Sequence, residues 1–201
     1  MENVHSIFLN VQKIYSKNLR LSIESLIENG SLKNIGLPRS YNYLLIDGTE
    51  LSNLLDNYRN SYINEPEIRN EDFEKFKNLL FYVGKGANNR KFSHFTAKKM
   101  SRKLKEINKI WAKGHGITVL QLFFETNDYV ALSREYSIIK ALKKTVSPKL
   151  TNSINSVAYG DMKEKWTSKE IINFGNMLIY NAFTVAIKDQ HSIIYRKDIK
   201  M

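Results

Sequence analysis

The chain is organised around the stretch Phe81-Tyr82-Val83-Gly84-Lys85-Gly86-Ala87-Asn88-Asn89-Arg90-Lys91-Phe92-Ser93-His94. A short apolar run, Leu79 to Val83, is followed by Gly84 and Gly86 and then by a basic segment. This order predicts a strand, a tight turn and a helix. Because glycine has no Cβ, the two glycines would let the backbone approach a ligand closely, and the Lys85 ammonium group between them suits an anion such as phosphate.

Arg90 and His94 are four residues apart, so on the predicted helix they would point to one side of it. That side lies one turn beyond the glycines, close to the place where an anion would bind. The alternative interpretation is a strand edge followed by a surface helix whose charges are solvated.

The charge of the chain favours a polyanionic partner. Among 201 residues, 31 Lys and Arg stand against 20 Asp and Glu, which leaves a net charge of +11. Such a field attracts nucleic acid, and the basic segment lacks the continuous apolar face of a membrane-surface helix. The excess positive charge is concentrated between Lys85 and Lys113, where ten basic residues accompany a single acid, Glu106. The basic residues are Lys85, Arg90, Lys91, Lys98, Lys99, Arg102, Lys103, Lys105, Lys109 and Lys113.

Composition disfavours several classes of protein. The chain has no cysteine, which excludes disulfides and thiolate metal sites and fits a reducing compartment. Its first residues lack the basic and apolar regions of a signal peptide. The most apolar segment, Ile171 to Ile187, is interrupted by asparagines and is short for a membrane span. We therefore expect an intracellular protein of the nucleus or cytoplasm that is not secreted and does not bind membranes.

Hydrophobic periodicity and turn residues predict a core from residue 41 to 160 with a polar insertion at 48–78, a helical extension at 1–40 and another at 161–201. Asn127 or Asp128 and Thr167 or Ser168 are candidate helix caps. The predicted elements are one or two helices from Val4 to Glu28, a strand from Tyr41 to Asp47, short helices from Leu51 to Tyr58 and from Glu71 to Lys77, strands from Leu79 to Val83 and from Ile117 to Phe124, a helix from Tyr129 to Leu142, an extended segment from Pro148 to Asn152, a helix from Lys169 to Ile187 and a basic tail.

Glu135 lies in the middle of the apolar stripe of the helix predicted from Tyr129 to Leu142. A carboxylate on a buried helix face is unfavourable unless a cation, a hydrogen-bond donor or a metal ion compensates it. A solvated helix face therefore does not explain this residue. Its position alone leaves two alternatives open, which are an internal ion pair with Arg or Lys and a metal ligand.

In combination, these motifs resemble the GIY-YIG nuclease family. Tyr41-Asn42-Tyr43 stands in place of the first signature, with Tyr41 where the family has glycine, and Tyr82-Val83-Gly84 stands in place of the second. The similarity is closest to the branch found in ankyrin-and-LEM-domain proteins. That branch shares the run Phe81 to Gly86, Arg90 with His94, Ile110-Trp111-Ala112 followed by Gly114 and Gly116, the pair Arg134-Glu135, Leu150-Thr151-Asn152 and Tyr159-Gly160.

The resemblance implies an α+β fold, with a small three-stranded antiparallel sheet flanked by helices and extra helices at both termini. It implies hydrolysis of DNA phosphodiester bonds with one divalent metal ion, Mg²⁺ or Mn²⁺, and branched or irregular DNA as the preferred partner. Glu135 would be the protein carboxylate on the metal, and Asn152 would order the site. The implied catalytic residues are Tyr43, Tyr82, Lys85, Arg90, His94, Glu135 and Asn152, and the residues expected to bind DNA are Lys91, Lys98, Lys99, Arg102 and Lys103.

The same resemblance implies individual roles. Tyr43 and Tyr82 would face each other across adjacent strands near the scissile phosphate, and Arg90 would hold a phosphate oxygen. His94 and Lys85 would assist proton transfer or orientation. Either Tyr43 or His94 could remove the proton of the attacking water.

Two other functions remain as alternatives, and the oligomeric state is open. One is a catalytically silent nucleic-acid-binding module of the same fold, against which the retention of Glu135 and Arg90 argues. The other is a sequence-specific homing or restriction endonuclease, which the absence of an obvious separate recognition domain disfavours.

Overall fold

The computed structural model describes residues 4–34, 39–61, 68–97, 99–144, 150–152, 156–188 and 191–199. Helices and strands are interspersed along these residues, as expected for an α+β protein. Their bounds are α1 (Val4–Glu28), β1 (Ser40–Asp47), α2 (Gly48–Ser61), α3 (Asn70–Leu79), β2 (Leu80–Ala87), a 3-10 helix (Asn88–Phe92), α4 (Arg102–Ala112), β3 (Ile117–Thr126), α5 (Asp128–Lys144), α6 (Asp161–Glu164), α7 (Ser168–Lys188), β4 (Ile193–Ile194) and a second 3-10 helix (Arg196–Asp198).

The strands form one antiparallel sheet in the order β2-β1-β3-β4. The expected antiparallel sheet flanked by helices is confirmed, but the described residues form four strands where three were expected. The additional strand, β4, pairs with Ile117 and Thr118 at the start of β3, and Trp111 Nε1 donates a 3.1 Å hydrogen bond to the carbonyl oxygen of Ile194. A strand of two residues shows no alternation of polar and apolar positions, so periodicity could not reveal it.

β1 lies between β2 and β3, and all eight of its residues are buried. Successive side chains of a strand point to opposite faces of the sheet. Leu44 and Ile46 join the main core, to which α1, α5 and α7 contribute, whereas Tyr43 and Leu45 join a smaller cluster that includes Ile107 of α4. The sheet is therefore covered on both faces, which suits a strand as apolar as β1.

The two glycines of the organising stretch lie inside β2, so the predicted tight turn was wrong. β2 runs through both of them to Ala87, with Gly84 opposite Tyr43 and Gly86 opposite Tyr41 on β1. A Cβ on Gly84 would lie 2.4 Å from Cζ of Tyr43, and one on Gly86 would lie 3.0 Å from Cζ of Tyr41. The glycines thus make room for two tyrosine rings rather than for a ligand.

The segment after β2 is not the α-helix that the sequence predicted. It forms the 3-10 helix Asn88–Phe92 and a turn, and α4 begins only at Arg102, where the Ser101 hydroxyl accepts a hydrogen bond from the Leu104 backbone N–H at 3.2 Å. Arg90 and His94 therefore do not share one α-helical face. Asn88 has a φ of 50°, and such a left-handed residue interrupts the backbone path from strand into helix.

The terminal helices pack on the same core as the sheet. Leu19 and Ile23 of α1 and Phe174 and Leu178 of α7 are fully buried in one cluster with Leu44 of β1. The predicted division into units at residues 40 and 160 stays a prediction. Within the described ranges, no helix is both long enough and apolar enough to cross a membrane.

The predicted helix caps are observed at α5 and α7. The side-chain oxygen of Asn127 accepts the backbone N–H of Tyr129 at 2.8 Å. At α7, the Thr167 hydroxyl accepts the Glu170 N–H at 3.3 Å, and the Glu170 carboxylate accepts the Thr167 N–H at 2.8 Å. These contacts satisfy backbone donors that a helix start leaves unpaired, which is why the sequence located both helix starts closely. The expected segment 148–152 is described only from residue 150.

Candidate active site

A pocket of about 510 Å³ lies at the outer edge of β2. Tyr82 belongs to the face of β2 that carries Tyr43 and α4, whereas Lys85 belongs to the face that α5 covers, so the pocket reaches around the strand edge. It brings together five of the seven predicted catalytic residues, and Tyr43 and His94 contact its Tyr82 wall. Its lining residues are Tyr82, Lys85, Arg90, Ser101, Arg102, Lys103, Leu132, Glu135, Thr151, Asn152, Ser156 and Val157.

Tyr43 and Tyr82 lie on neighbouring strands, with their ring centroids 6.0 Å apart. Tyr43 is only 1% exposed, and its hydroxyl forms a hydrogen bond with Nε2 of His94. Burial raises the pKa of Tyr43 well above its usual value, and burial followed by the charge of Glu135 raises the pKa of Tyr82. Both phenols are therefore protonated at neutral pH in the absence of a bound ion.

His94 is a neutral imidazole that contacts both tyrosines. Its ring is stacked on Tyr43 with centroids 5.6 Å apart and meets Tyr82 edge-on at 5.3 Å. Burial, with smaller effects of Lys103 and Arg90, lowers the pKa of His94 to about 4. At neutral pH its Nε2 can therefore accept the hydrogen bond that the protonated Tyr43 donates.

Glu135 reaches the pocket from α5. Burial raises its pKa to about 7, although the hydrogen bond from the backbone N–H of Lys85 and the charges of Lys85, Arg90 and Lys103 act in the opposite direction. In the part of the chain that the structure describes, no Lys, Arg or His forms an ion pair with this carboxylate. The ion-pair explanation left open by the sequence is therefore not the one observed, and the carboxylate faces the pocket.

Asp128 contacts the pocket residue Lys85 and was not among the predicted site residues, because the sequence suggested it only as a helix cap. Its carboxylate accepts hydrogen bonds from the Lys85 ammonium group and from the hydroxyl of Ser40. Burial alone would raise the pKa of Asp128, but these two hydrogen bonds outweigh it and lower the pKa. The sequence did contain a signal for Asp128. It lies two helical turns before Glu135, and this spacing places both carboxylates on one face of α5.

Asn152 binds the outer edge of β2 with its side-chain amide. Its Oδ1 accepts the backbone N–H of Val83 at 3.0 Å, and its Nδ2 donates to the carbonyl oxygen of Val83 at 2.8 Å. Thr151 adds a backbone hydrogen bond of 2.8 Å to the carbonyl oxygen of Phe81. These bonds pair backbone N–H and C=O groups at the outer edge of β2, which no other strand covers among the described residues. They also hold the part of β2 around Tyr82, which forms one wall of the pocket.

The basic residues expected to bind DNA occupy different places. Lys103 lies inside the pocket, Arg102 is on its rim and Lys99 is exposed beside α4. Lys91 is half-buried, donates to the side-chain oxygen of Gln121, and lies 5.9 Å from the ring centroid of Tyr41. Lys98 lies outside the described residues.

The donor chemistry of the pocket fits a magnesium-like ion better than zinc. Glu135 offers one carboxylate, while the neighbouring Asp128 is engaged by Lys85 and Ser40. No group of three or more His, Asp or Glu side chains suited to a metal ion occurs among the described residues. Mg²⁺ and Mn²⁺ can be held by one or two carboxylates with water and substrate phosphate, whereas zinc sites take three or four protein ligands.

Comparison with known proteins assigns the family. A family model described as the LEM-3-like GIY-YIG domain matches residues 40–201. The chain belongs to this family. The ankyrin repeat and LEM domain-containing protein 1 homolog of Caenorhabditis elegans is 36% identical to the chain over 87 residues, which are 38% of the chain and 12% of that protein. No solved structure matches the chain.

The resemblance to GIY-YIG proteins of the ankyrin-and-LEM branch is thus confirmed. The family match begins at Ser40, the first residue of β1, and extends over all four strands and the pocket residues. Tyr43 and Tyr82, the two predicted signature tyrosines, lie side by side, and Tyr82 lines the pocket. The chain spans only about an eighth of the curated relative's length, since 12% of that protein is matched.

Proposed function

We propose that this chain is an endonuclease that hydrolyses DNA phosphodiester bonds with one bound Mg²⁺ or Mn²⁺ ion, and that branched or otherwise irregular DNA is its preferred substrate. Membership of the GIY-YIG family supports the nuclease activity. The observation that carries the proposal is the pocket in which Glu135 lies among the basic side chains of Lys85, Arg90 and Lys103. A DNA substrate would place the activity in the nucleus or the cytoplasm.

Glu135 would hold the metal ion. When bound, the ion would polarise a phosphate oxygen and stabilise the charge that develops on the leaving 3′ oxygen. The raised pKa of Glu135 is consistent with a metal-binding role. Without a bound cation, burial favours the protonated carboxyl, and a nearby positive charge would favour the ionised form. The Lys85 backbone N–H fixes the direction of the carboxylate.

The cations of the pocket would bind the scissile phosphate. Arg90 lines the pocket, and its guanidinium can hold a phosphate oxygen with two parallel N–H donors. The Lys85 ammonium group, held by Asp128, would add a fixed positive charge on the α5 side. Such fixed charges stabilise the extra negative charge of the transition state without reorganisation.

Tyr43 and His94 would together remove the proton of the attacking water. The Tyr43 hydroxyl is hydrogen-bonded to Nε2 of a neutral imidazole, so in the tautomer whose Nε2 carries no proton Tyr43 can accept a proton from water as it transfers its own to His94. This arrangement avoids a free tyrosinate, which the raised pKa of Tyr43 makes unfavourable.

The surrounding basic residues would bind the DNA backbone. Arg102 is exposed and lines the pocket, Lys99 is exposed three residues before it, and Lys91 and Lys98 lie nearby in the sequence. Lysine and arginine contacts with phosphates position DNA without reading its sequence. Recognition through the backbone therefore favours selection by DNA shape over a fixed sequence.

The deciding experiment is a cleavage assay with junction, flap, splayed and linear DNA in Mg²⁺, Mn²⁺ or EDTA. We expect metal-dependent nicking that is strongest on branched forms, and we expect Glu135→Ala to abolish it with little change in DNA affinity. The matched control is Glu164→Ala, which removes an exposed carboxylate on α6 outside the pocket and should cleave as the wild type does.

Two results would contradict the proposal. Tight DNA binding without cleavage of any form would identify a silent binding module. Discrete cut positions on linear duplex would identify a sequence-specific enzyme.

A further inference from the structure

Lys103 lies deeper in the site than a residue that only contacts the DNA backbone. It is the second residue of α4, and its Nζ is 3.3 Å from Nε2 of His94 and 3.8 Å from the ring centroid of Tyr82. It lines the pocket together with Glu135. Lys105, two residues further along the same helix, is exposed instead.

Two polar side chains lie within hydrogen-bond distance of one nitrogen of His94. The Tyr43 hydroxyl and the Lys103 Nζ both approach Nε2, but a neutral imidazole nitrogen has one lone pair and accepts one proton. When Lys103 is an amine, its own lone pair can accept a proton from Nε2. The three groups therefore form a path in the order Tyr43 oxygen, His94 Nε2, Lys103 Nζ.

The electrostatics of the path favour transfer toward Lys103. Burial lowers the pKa of His94 to about 4 and that of Lys103 to about 8, so a proton placed on His94 moves readily to the amine. The charged groups around Lys103 act in opposite directions, since Arg90 lowers its pKa and Glu135 raises it. Tyr82 presents its ring face to the Lys103 Nζ.

We propose that Lys103, in its amine form, is the final acceptor of the proton that the attacking water loses through Tyr43 and His94. This inference rests on the proposed hydrolysis. The water oxygen bonds to phosphorus while the bond from phosphorus to the 3′ oxygen breaks, and the leaving oxygen keeps that electron pair and takes a proton from solvent. The water proton passes to Tyr43, the Tyr43 proton to Nε2 and the Nε2 proton to Nζ, and the resulting ammonium group releases it to solvent through the pocket.

Replacing Lys103 by arginine separates this role from phosphate binding. Arginine keeps the positive charge but does not lose its proton at any usable pH. We expect Lys103→Arg to bind DNA within about threefold of the wild type and to lose on the order of 100-fold in kcat/KM, the usual range for a lost proton-transfer group. The wild-type kcat/KM should rise with pH through an apparent pKa near 8, and this limb should be absent in Lys103→Arg.

Chemical rescue provides the second readout. Methylamine or ethylamine should restore cleavage by Lys103→Ala in proportion to the concentration of free amine, because a small amine can occupy the vacated space and accept the proton. The matched control is Lys105 on the exposed side of the same helix, where neither Lys105→Arg nor Lys105→Ala should change the pH profile or respond to amines.

Either of two results overturns the inference while leaving the nuclease activity in place. One is a Lys103→Arg enzyme that cleaves within about threefold of the wild type, which would make Lys103 a phosphate contact. The other is a Lys103→Ala enzyme that binds DNA but does not respond to amines. If the wild type cleaves no DNA form, the proposed function itself fails and the inference falls with it.

Discussion

At the scale of single residues, Glu135 illustrates how a buried carboxylate can lower the stability of the protein that carries it. Burial among apolar neighbours of α5 raises its pKa from 4.5 to about 7. Ionisation therefore occurs at lower pH in the unfolded chain than in the folded protein. The contribution of the protonated carboxyl to the free energy of unfolding is therefore at its maximum below about pH 4.5, and it is lost as the pH rises toward 7.

This shift predicts that Glu135→Gln stabilises the metal-free protein at high pH. At pH 8 the free energy of unfolding should rise by something on the order of 1–3 kcal/mol, and near pH 4 the two proteins should be equally stable. Urea unfolding at both pH values in EDTA measures the difference. Glu164→Gln, at an exposed carboxylate, is the control and should change little. A Glu135→Gln protein no more stable than the wild type at pH 8 would contradict the prediction.

At the scale of elements, the pairing of β1 with β2 depends on glycines that face tyrosines. An alanine inside a strand normally stabilises it relative to glycine, because glycine loses more backbone entropy on folding. At residue 84 the Tyr43 ring occupies the space that a Cβ would need. The sequence located the glycines but could not show that they oppose tyrosines, since strand register is a property of the paired strands.

We therefore expect Gly84→Ala to destabilise the protein on the order of 1–3 kcal/mol, as overpacking in a core does. The new Cβ would lie 2.4 Å from Tyr43, whose ring is buried and cannot move freely. Gly86→Ala is the matched variant in the same strand, and its 3.0 Å approach to Tyr41 should cause a smaller loss. Urea unfolding compares the two, and equal stability of both variants would show that Tyr43 does not require the glycine.

At the scale of the whole molecule, the helix before the family match belongs to the main core. Leu19 of α1 is fully buried with residues of α7 and β1, although the LEM-3-like match begins only at residue 40. A helix that buries apolar side chains in a shared core contributes to the stability of the site it supports. The described fold is thus larger than the signature that identifies it.

Leu19→Ala should lower the free energy of unfolding by about 2–5 kcal/mol, as expected for a leucine removed from a packed core. Leu21, two residues away on the same helix, is 47% exposed, and Leu21→Ala should change stability by about 0.5 kcal/mol or less. Thermal or urea unfolding of both variants tests the difference. Similar effects of the two substitutions would mean that α1 is not packed on the core.

The sequence by itself determined the family, the helix starts at Asn127 or Asp128 and at Thr167 or Ser168, three of the four described strands, and five predicted catalytic residues that the pocket brings together. These features are encoded locally, in hydrophobic periodicity, capping side chains and signature spacing. Glu135 could be singled out because a carboxylate within an apolar stripe needs a special partner wherever the helix packs.

Only the tertiary structure decided the register that places Gly84 against Tyr43, the fourth strand, the engagement of Lys85 by Asp128 and the position of Lys103 beside His94. Each of these contacts joins residues from separate elements. Local propensity does not encode such contacts, because they depend on how the strands and helices pack together and on the burial that results. The same burial moves the pKa values of His94, Lys103 and Glu135, and with them the chemistry of the pocket.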